Sequence, residues 1–576
     1  MRSISILIVL AIAAAAAACA RPHPSAPAAS GDNLRYTLAL IRAPFTAVEV
    51  TIELAGASDG VTTLDLGEPW AGVERAEDDI HGLAVTGTRG TALPVEHPPG
   101  HAWIVRHAPG ERLIVTYYLV SSRQDVTTEP TTYHRAVVRD HLVHLIGNTA
   151  LLVPTFADLT AERTIGLRWR GFAEAGWTLV SSFGVDADLD VRQPLDAFRN
   201  AVFLASDDLR LEPRDVGGGI LMVALHGAWS FRDDELADAA AAVVRTERAF
   251  YADPGPPFFL ISAIPVGTAD PHGVALSGTG LTQSFALFLS PSVSLTAELG
   301  DRLRWLLGHE LFHAWNGLTI QAAEPPELAY WFTEGFTNFY ARRLLYRAGV
   351  VSLDAFVRDL NDEVQNYQLS PVRDQPNLRI QADYWSSRDV SKLPYQRGDL
   401  IALIADAEIR RVAGGATSLD DVMKTLVADS PGGKRYDTEA LLAPIAARTS
   451  PEFAARLRAT IVDGAPLAID PGLLAPCLRG APHSVPRFDL GFDFDATRAD
   501  KRVVGVRSGS AAAAAGLRDG QQLAGASINL GQPDKPVTIQ IREGSAVRDI
   551  VYLPRGAPEQ VIRFSTADAS ACRDLL

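Results

Sequence analysis

From Leu34 to about Gly184, apolar residues recur in short alternating runs, YTLALI, FTAVEVTIEL, HAWIVRH, ERLIVTYYLV, IGLRWRG and WTLVSSFG, separated by Gly, Pro and Asp. A period of two predicts strands with one buried face, in an antiparallel sheet or sandwich. At Asp233 the period changes. DDELADAAAAVVRTERAFY, Asp233 to Tyr251, repeats apolar residues at helical spacing, and PPFFLISAI after it reads as a buried strand, so helix and strand mix from there.

A further helix is expected to start near Thr296 and run through AELGDRLRWLLGHELFHAW. Another begins after Pro325 and Pro326, residues suited to a first turn, and runs through ELAYWFTEGFTNFYARRLLYRA to a stop at Gly349. Helical patterns also cover Leu353 to about Tyr367 and Leu400 to Val412. In GATSLDDVMKTLVA, Ser418 is an expected N-cap with Asp421 three positions on. After Cys477 the Pro-containing RGAPHSVPRFDLGF marks a boundary, and short strands through Phe564 follow, interrupted by the Ala-rich helix and Gly turn of SGSAAAAAGLRDGQQL.

At 576 residues the chain exceeds what one core supports, and 47% hydrophobic with 21% charged residues is a folded composition. A net charge of -15 argues against nucleic acid as a partner, because phosphate binding needs Lys and Arg in excess along a groove. The N-terminus, MRSISILIVLAIAAAAAACA, sets Arg2 before an apolar run that ends in small residues, the pattern of an export signal too short to span a membrane comfortably. Cys19 stands where a lipoprotein cysteine would be cleaved and acylated. The preceding AAA lacks the usual Leu of that box, so a soluble product of ordinary cleavage stays open. Periplasmic placement is expected, with or without a lipid anchor. Of the remaining cysteines, Cys477 and Cys572 are permitted to pair by an oxidising compartment, and the sequence leaves open whether they do.

The chemistry concentrates in HELFH. His309 and His313, four residues apart on one helical face, can reach one metal ion, with Glu310 beside them. Two histidines leave a zinc site short of one protein ligand, and a carboxylate from the following helix would leave the fourth position open to water. Glu334 is the best candidate: it falls in WFTEGFTNFY, an apolar and aromatic stretch where an unpaired carboxylate is costly. Glu324 and Glu327 are rival ligands, but acidic residues beside the Pro pair already suit a helix start. As a competing nucleophile site, GASDG at Gly56 to Gly60 lacks the helix that a nucleophile elbow requires.

GHELFHAWN, Gly308 to Asn316, and WFTEGFTNFY, Trp331 to Tyr340, resemble the two zinc motifs of the glycyl aminopeptidase family, PDZ-containing metallopeptidases related in their catalytic part to aminopeptidase N. The resemblance implies His309, His313 and Glu334 as ligands of Zn2+ and Glu310 as catalytic carboxylate. PYQRG, Pro394 to Gly398, resembles the segment that supplies the transition-state tyrosine, which implies Tyr395. From the residues alone, a Tyr after a Pro at a helix entrance is equally a packing residue. The C-terminal part resembles a PDZ module, with LGF at Leu490 to Phe492 and AGLRDG at Ala515 to Gly520. This implies a peptide ligand held by its terminal carboxylate; Gln521, however, stands where the family has Asp, and a domain that merely packs on the catalytic part is the other reading.

The implied fold is multidomain α+β: export or lipoprotein signal 1–19, tether 20–32, N-terminal β-domain 33–190, thermolysin-like zinc catalytic domain 191–350, helical region 351–475 and PDZ-like β-domain 476–570. One departure bears on substrate. PHGVALSGTG, Pro271 to Gly280, stands where the family has a Gly-Gly-Leu-Glu-His segment whose Glu helps to bind substrate. His272, Gly273, Val274, Ala275 and Leu276 keep the strand character and supply no carboxylate. Glu324, Glu327 or an acidic residue between Asp354 and Glu363 could replace it. The expected activity is therefore zinc-dependent peptide hydrolysis with altered N-terminal preference. A strict aminopeptidase and a noncatalytic, zinc-containing peptide-binding protein are the alternatives.

Overall fold

The alternating runs of the N-terminal part form a seven-stranded sheet in a computed structural model that describes residues 5–7, 34–122, 126–156, 158–267, 273–430 and 433–576. Cys19, the tether and most of the signal segment lie outside the described residues. The order across the sheet is Asp188–Pro194, Glu162–Arg170, Leu34–Ile41, Ala47–Ala55, Arg112–Leu119, Ile80–Thr86 and Ala92–Leu93. Tyr36, Leu38, Val50, Ile52, Val115 and Tyr117 supply its buried face, and the Tyr36 and Tyr117 hydroxyls donate to the Leu152 and Ala150 carbonyls. The sheet is mixed where antiparallel pairing was expected, because Glu162–Arg170 runs parallel to Leu34–Ile41. Period two reports which face is buried and carries no information on strand direction.

The chain divides into two compact units, Met1–His313 and Ala314–Leu576. Beyond the first sheet, the first unit contains helix α1, Asp233–Tyr251, and a second sheet built on strands β1, Phe258–Pro265, β2, Gly273–Leu281, and β3, Ser284–Leu289. Its order is Ser5–Leu7, β2, β3, β1, Ile220–Leu225, Arg210–Asp215, with β2 and β3 antiparallel and β3 parallel to β1. Helix α2, Ala297–Phe312, follows, with Thr296 at its N-cap as the pattern predicts.

The second unit is helical at first. The expected single helix from Pro326 to Gly349 is in three pieces: a 3-10 turn Pro326–Ala329, a short α-turn Tyr330–Thr333, and α3, Gly335–Arg347, with Glu334 at the joint. α4, Leu353–Leu369, and α5, Asn377–Asp383, follow. The expected helix from Leu400 extends back to Arg388 as α6, Arg388–Val412, capped by Ser387 and with Pro394 inside it. Tyr395 thus sits within a helix and not at its entrance. Burial of Leu393, Pro394 and Tyr395 outweighs the backbone bond that Pro394 cannot donate. Ser418 and Asp421 form the anticipated capping box.

Leu478–Phe488 pairs with Arg555–Thr566, and Gln522–Ser527, Val537–Glu543 and Ala546–Tyr552 form a three-stranded sheet around a small core of Phe492, Val503, Leu517, Val537 and Ile539. Cys477 and Cys572 form a disulfide with Cα atoms 4.7 Å apart. β-rich regions therefore stand at both ends of a mainly helical middle, the coarse α+β plan expected.

Candidate metal centre

Leu303, Leu306, Leu307 and Phe312 bury one side of α2, and the Phe312 ring meets Tyr251 and Phe250 of α1 at 5.7 and 6.4 Å. That packing fixes the end of the helix that carries the histidines. His309 is fully buried against Trp305, their rings 5.3 Å apart. The His309 and His313 rings stand nearly perpendicular, with Nε2 atoms 3.2 Å apart. Two imidazole lone pairs aimed at one point repel unless a proton or a cation lies between them. Glu310 faces strand β2: a Cβ placed on Gly280 would stand 3.9 Å from its Oε2.

Glu334 is 2% exposed among Trp331, Phe332 and Phe336. Asn316, also buried, steadies the segment before it, its Nδ2 donating to the Phe332 carbonyl at 3.0 Å and to Thr337 Oγ1 at 3.1 Å. His309, His313 and Glu334 each offer a ligand atom within 4.8 Å of the others, and among the described residues no other group of three does so. Two imidazole nitrogens and one carboxylate oxygen fit the three-residue donor set of a catalytic zinc, whose fourth position is taken by water. Glu324 and Glu327 are not in the cluster; Glu324 stands 3.8 Å from Arg435.

Tyr395 reaches the neighbourhood of Glu334 through a close helix crossing. A Cβ on Gly398 would collide with the Trp331 carbonyl oxygen and stand 2.9 Å from Gly335 Cα, so the two glycines let α6 lie directly against the start of α3. The Gly of TEG and the Gly of PYQRG are two sides of one backbone contact. Tyr395 is 9% exposed, and its hydroxyl oxygen is 3.4 Å from that of Tyr384, which in turn packs on Tyr330 at 4.8 Å between ring centres. Burial, then the Glu334 carboxylate, raises the Tyr384 phenol above its ordinary range. Burial, then Glu327, Glu334 and Glu324, does the same for Tyr330. Neither Tyr384 nor Tyr330 stands in a motif of its own: the aromatic crowding of AYWFTEG is a local signal for Tyr330 alone, and Tyr384 lies apart from it in ADYW. In the strand expected to run beside the substrate, Val274, Ala275 and Leu276 are buried, and Pro271 and His272 lie outside the described residues. GASDG leads into strand Val61–Asp65, with no helix after it.

Residues 302–392 match the model of the M61 glycyl aminopeptidase family, a segment that holds the metal cluster and ends short of Tyr395. No curated protein matches. Among solved structures, an aminopeptidase N family protein from Idiomarina loihiensis is similar over 94% of this chain and 100% of its own, at 16% identity and a TM-score of 0.72. An M1 zinc metallopeptidase from Deinococcus radiodurans covers 76% of this chain and 94% of its own, at 14% identity and a TM-score of 0.45. The fold is of the zinc aminopeptidase type. With a His-His-Glu cluster suited to one zinc ion, it defines a metal-dependent peptidase.

Proposed function

We propose that the protein hydrolyses peptide bonds with one zinc ion held by His309, His313 and Glu334, Glu310 as general base and Tyr395 as stabiliser of the transition state. The convergence of the three ligand atoms within 4.8 Å carries this reading. A bound zinc ion supplies Lewis acidity toward a carbonyl and toward water at neutral pH. Glu310 takes the proton of the attacking water and returns it to the leaving amine nitrogen, so that one carboxylate serves as base and then acid. Tyr395 donates a hydrogen bond to the oxygen on which negative charge develops, while Tyr384 holds the phenol in place.

Preference for a free substrate amino terminus is weakened in this proposal, because Val274, Ala275 and Leu276 bring no carboxylate to the substrate strand. Strict aminopeptidase activity is the second reading. Cleavage of one peptide with free and with acetylated N-termini, read by mass spectrometry, separates the two. Cleavage of both forms is expected. Removal of only the first residue, and only from the free peptide, establishes the strict aminopeptidase.

The disulfide points to an oxidising, extracytoplasmic setting, and no helix of the described residues is long and apolar enough to cross a membrane. We assign the protein to the periplasm, anchored by acylation of Cys19; cleavage before Cys19 removes Ser5–Leu7, so in the mature chain the second sheet begins at β2. A peptide ligand at the PDZ-like domain would need the LGF loop amides. The Gly491 amide donates to the Asp489 carboxylate at 2.8 Å, and Asp489 also pairs with Arg507, so a peptide carboxylate would have to displace a charge of its own sign. Gln521 accepts from the Arg518 amide at 2.8 Å and closes the turn. A closing role for this domain is the reading these contacts support.

A further inference from the structure

Helix α5 buries Asn377, Ile380 and the adjoining Tyr384 on one side. On an adjoining face, about 100° round the helix, it presents Leu378, 65% exposed, and Trp385, 67% exposed and the one exposed Trp among the described residues. They stand seven positions apart, two helical turns, with Tyr384 still in helical conformation, so they share a face. The Trp385 indole meets the Tyr384 ring edge to face at 5.0 Å, and the Tyr384 hydroxyl oxygen is 3.4 Å from that of Tyr395. A chain of contacts therefore leads from the Tyr395 hydroxyl through one buried ring to an uncovered indole. Large aromatic surface left in water gains most from being covered, and Trp is the residue most enriched where binding energy concentrates.

We propose that Trp385, extended by Leu378, is the platform that receives a bulky apolar side chain of the peptide substrate, and so sets selectivity for Leu or Phe over Gly or Ala near the cleaved bond. The proposal rests on the peptidase reading and names the substrate class of that site. Its continuity with Tyr395 through Tyr384 selects a substrate as the occupant.

The test uses the full zinc-loaded chain and peptides that differ only in having Gly, Ala, Leu or Phe beside the cleaved bond. The ratio of kcat/KM for the Phe peptide over the Gly peptide is expected to fall about tenfold in Trp385→Ala, less in Leu378→Ala, and to recover most of its value in Trp385→Phe. An equal loss on all peptides, an unchanged ratio, or a sedimentation mass that drops in Trp385→Ala, which would make the face a contact with a second copy, overturns it. Calorimetric binding of the same peptides to zinc-loaded Glu310→Gln, with and without Trp385→Ala, separates the two proposals. Phe-peptide binding that depends on Trp385, without turnover in the parent chain, sinks the peptidase reading and keeps the platform. Turnover without that dependence sinks the platform alone, and neither turnover nor binding sinks both.

Discussion

The Tyr395 hydroxyl sits where a buried neighbour, Tyr384, can fix its orientation, and a pre-oriented donor stabilises a developing oxyanion without reorganising. Tyr395→Phe keeps the ring packing and removes that donor, so it is expected to retain fold and zinc and to lower the single-turnover rate about 100-fold, or ~3 kcal/mol. An unchanged rate rejects the role. Glu247 shows a different residue-level effect. It is buried in α1 with neither carboxylate oxygen hydrogen-bonded, and burial holds its pKa well above the ordinary 4.5. The folded chain keeps the proton that the unfolded chain loses. The stability this represents is complete below about pH 4.5 and is lost as pH rises toward the raised value. Glu247→Met is expected to stabilise the fold, read as a higher urea midpoint, and to do so more at pH 8 than at pH 4. Equal gains at both pH values would contradict it. The helical period of α1 already puts Glu247 in line with Leu236, Ala240 and Val244 on the buried stripe, so its burial was legible in the sequence. That it is left without a partner was not, because partners come from other elements.

Among the elements, α2 was the most legible, since a spacing of four on a helix brings His309 and His313 together whatever surrounds them. The joint at Glu334 and the extension of α6 through Pro394 were not. Both depend on two backbones meeting at Gly335 and Gly398, whose residues are far apart in the chain. The two glycine-containing motifs were visible as separate resemblances, and their contact gives them a common physical cause. Gly398→Ala forces the Trp331 carbonyl away from α6, and overpacking of this kind costs about 1–3 kcal/mol. The expected outcome is a lower urea midpoint together with a slower chemical step, because Tyr395 moves with its helix. A normal midpoint and rate would show that the crossing does not position it.

At the scale of the molecule, the β-rich ends and helical middle could be read from periodicity, and the disulfide could be read only as permitted. Pairing joins residues 95 positions apart, which no local pattern specifies. The mixed sheet was likewise hidden, because strand direction depends on connections and side-chain alternation does not record them. Across these scales the central claim is that the chain is a zinc peptidase whose general base is Glu310. Its most direct test is cleavage of an unblocked peptide by wild type and Glu310→Gln at matched, measured zinc content. The account predicts one zinc per chain in both, cleavage by the wild type that stops when zinc is removed and returns when it is restored, and none by Glu310→Gln. Equal cleavage by the two proteins, or cleavage by the wild type that is indifferent to zinc, would contradict it.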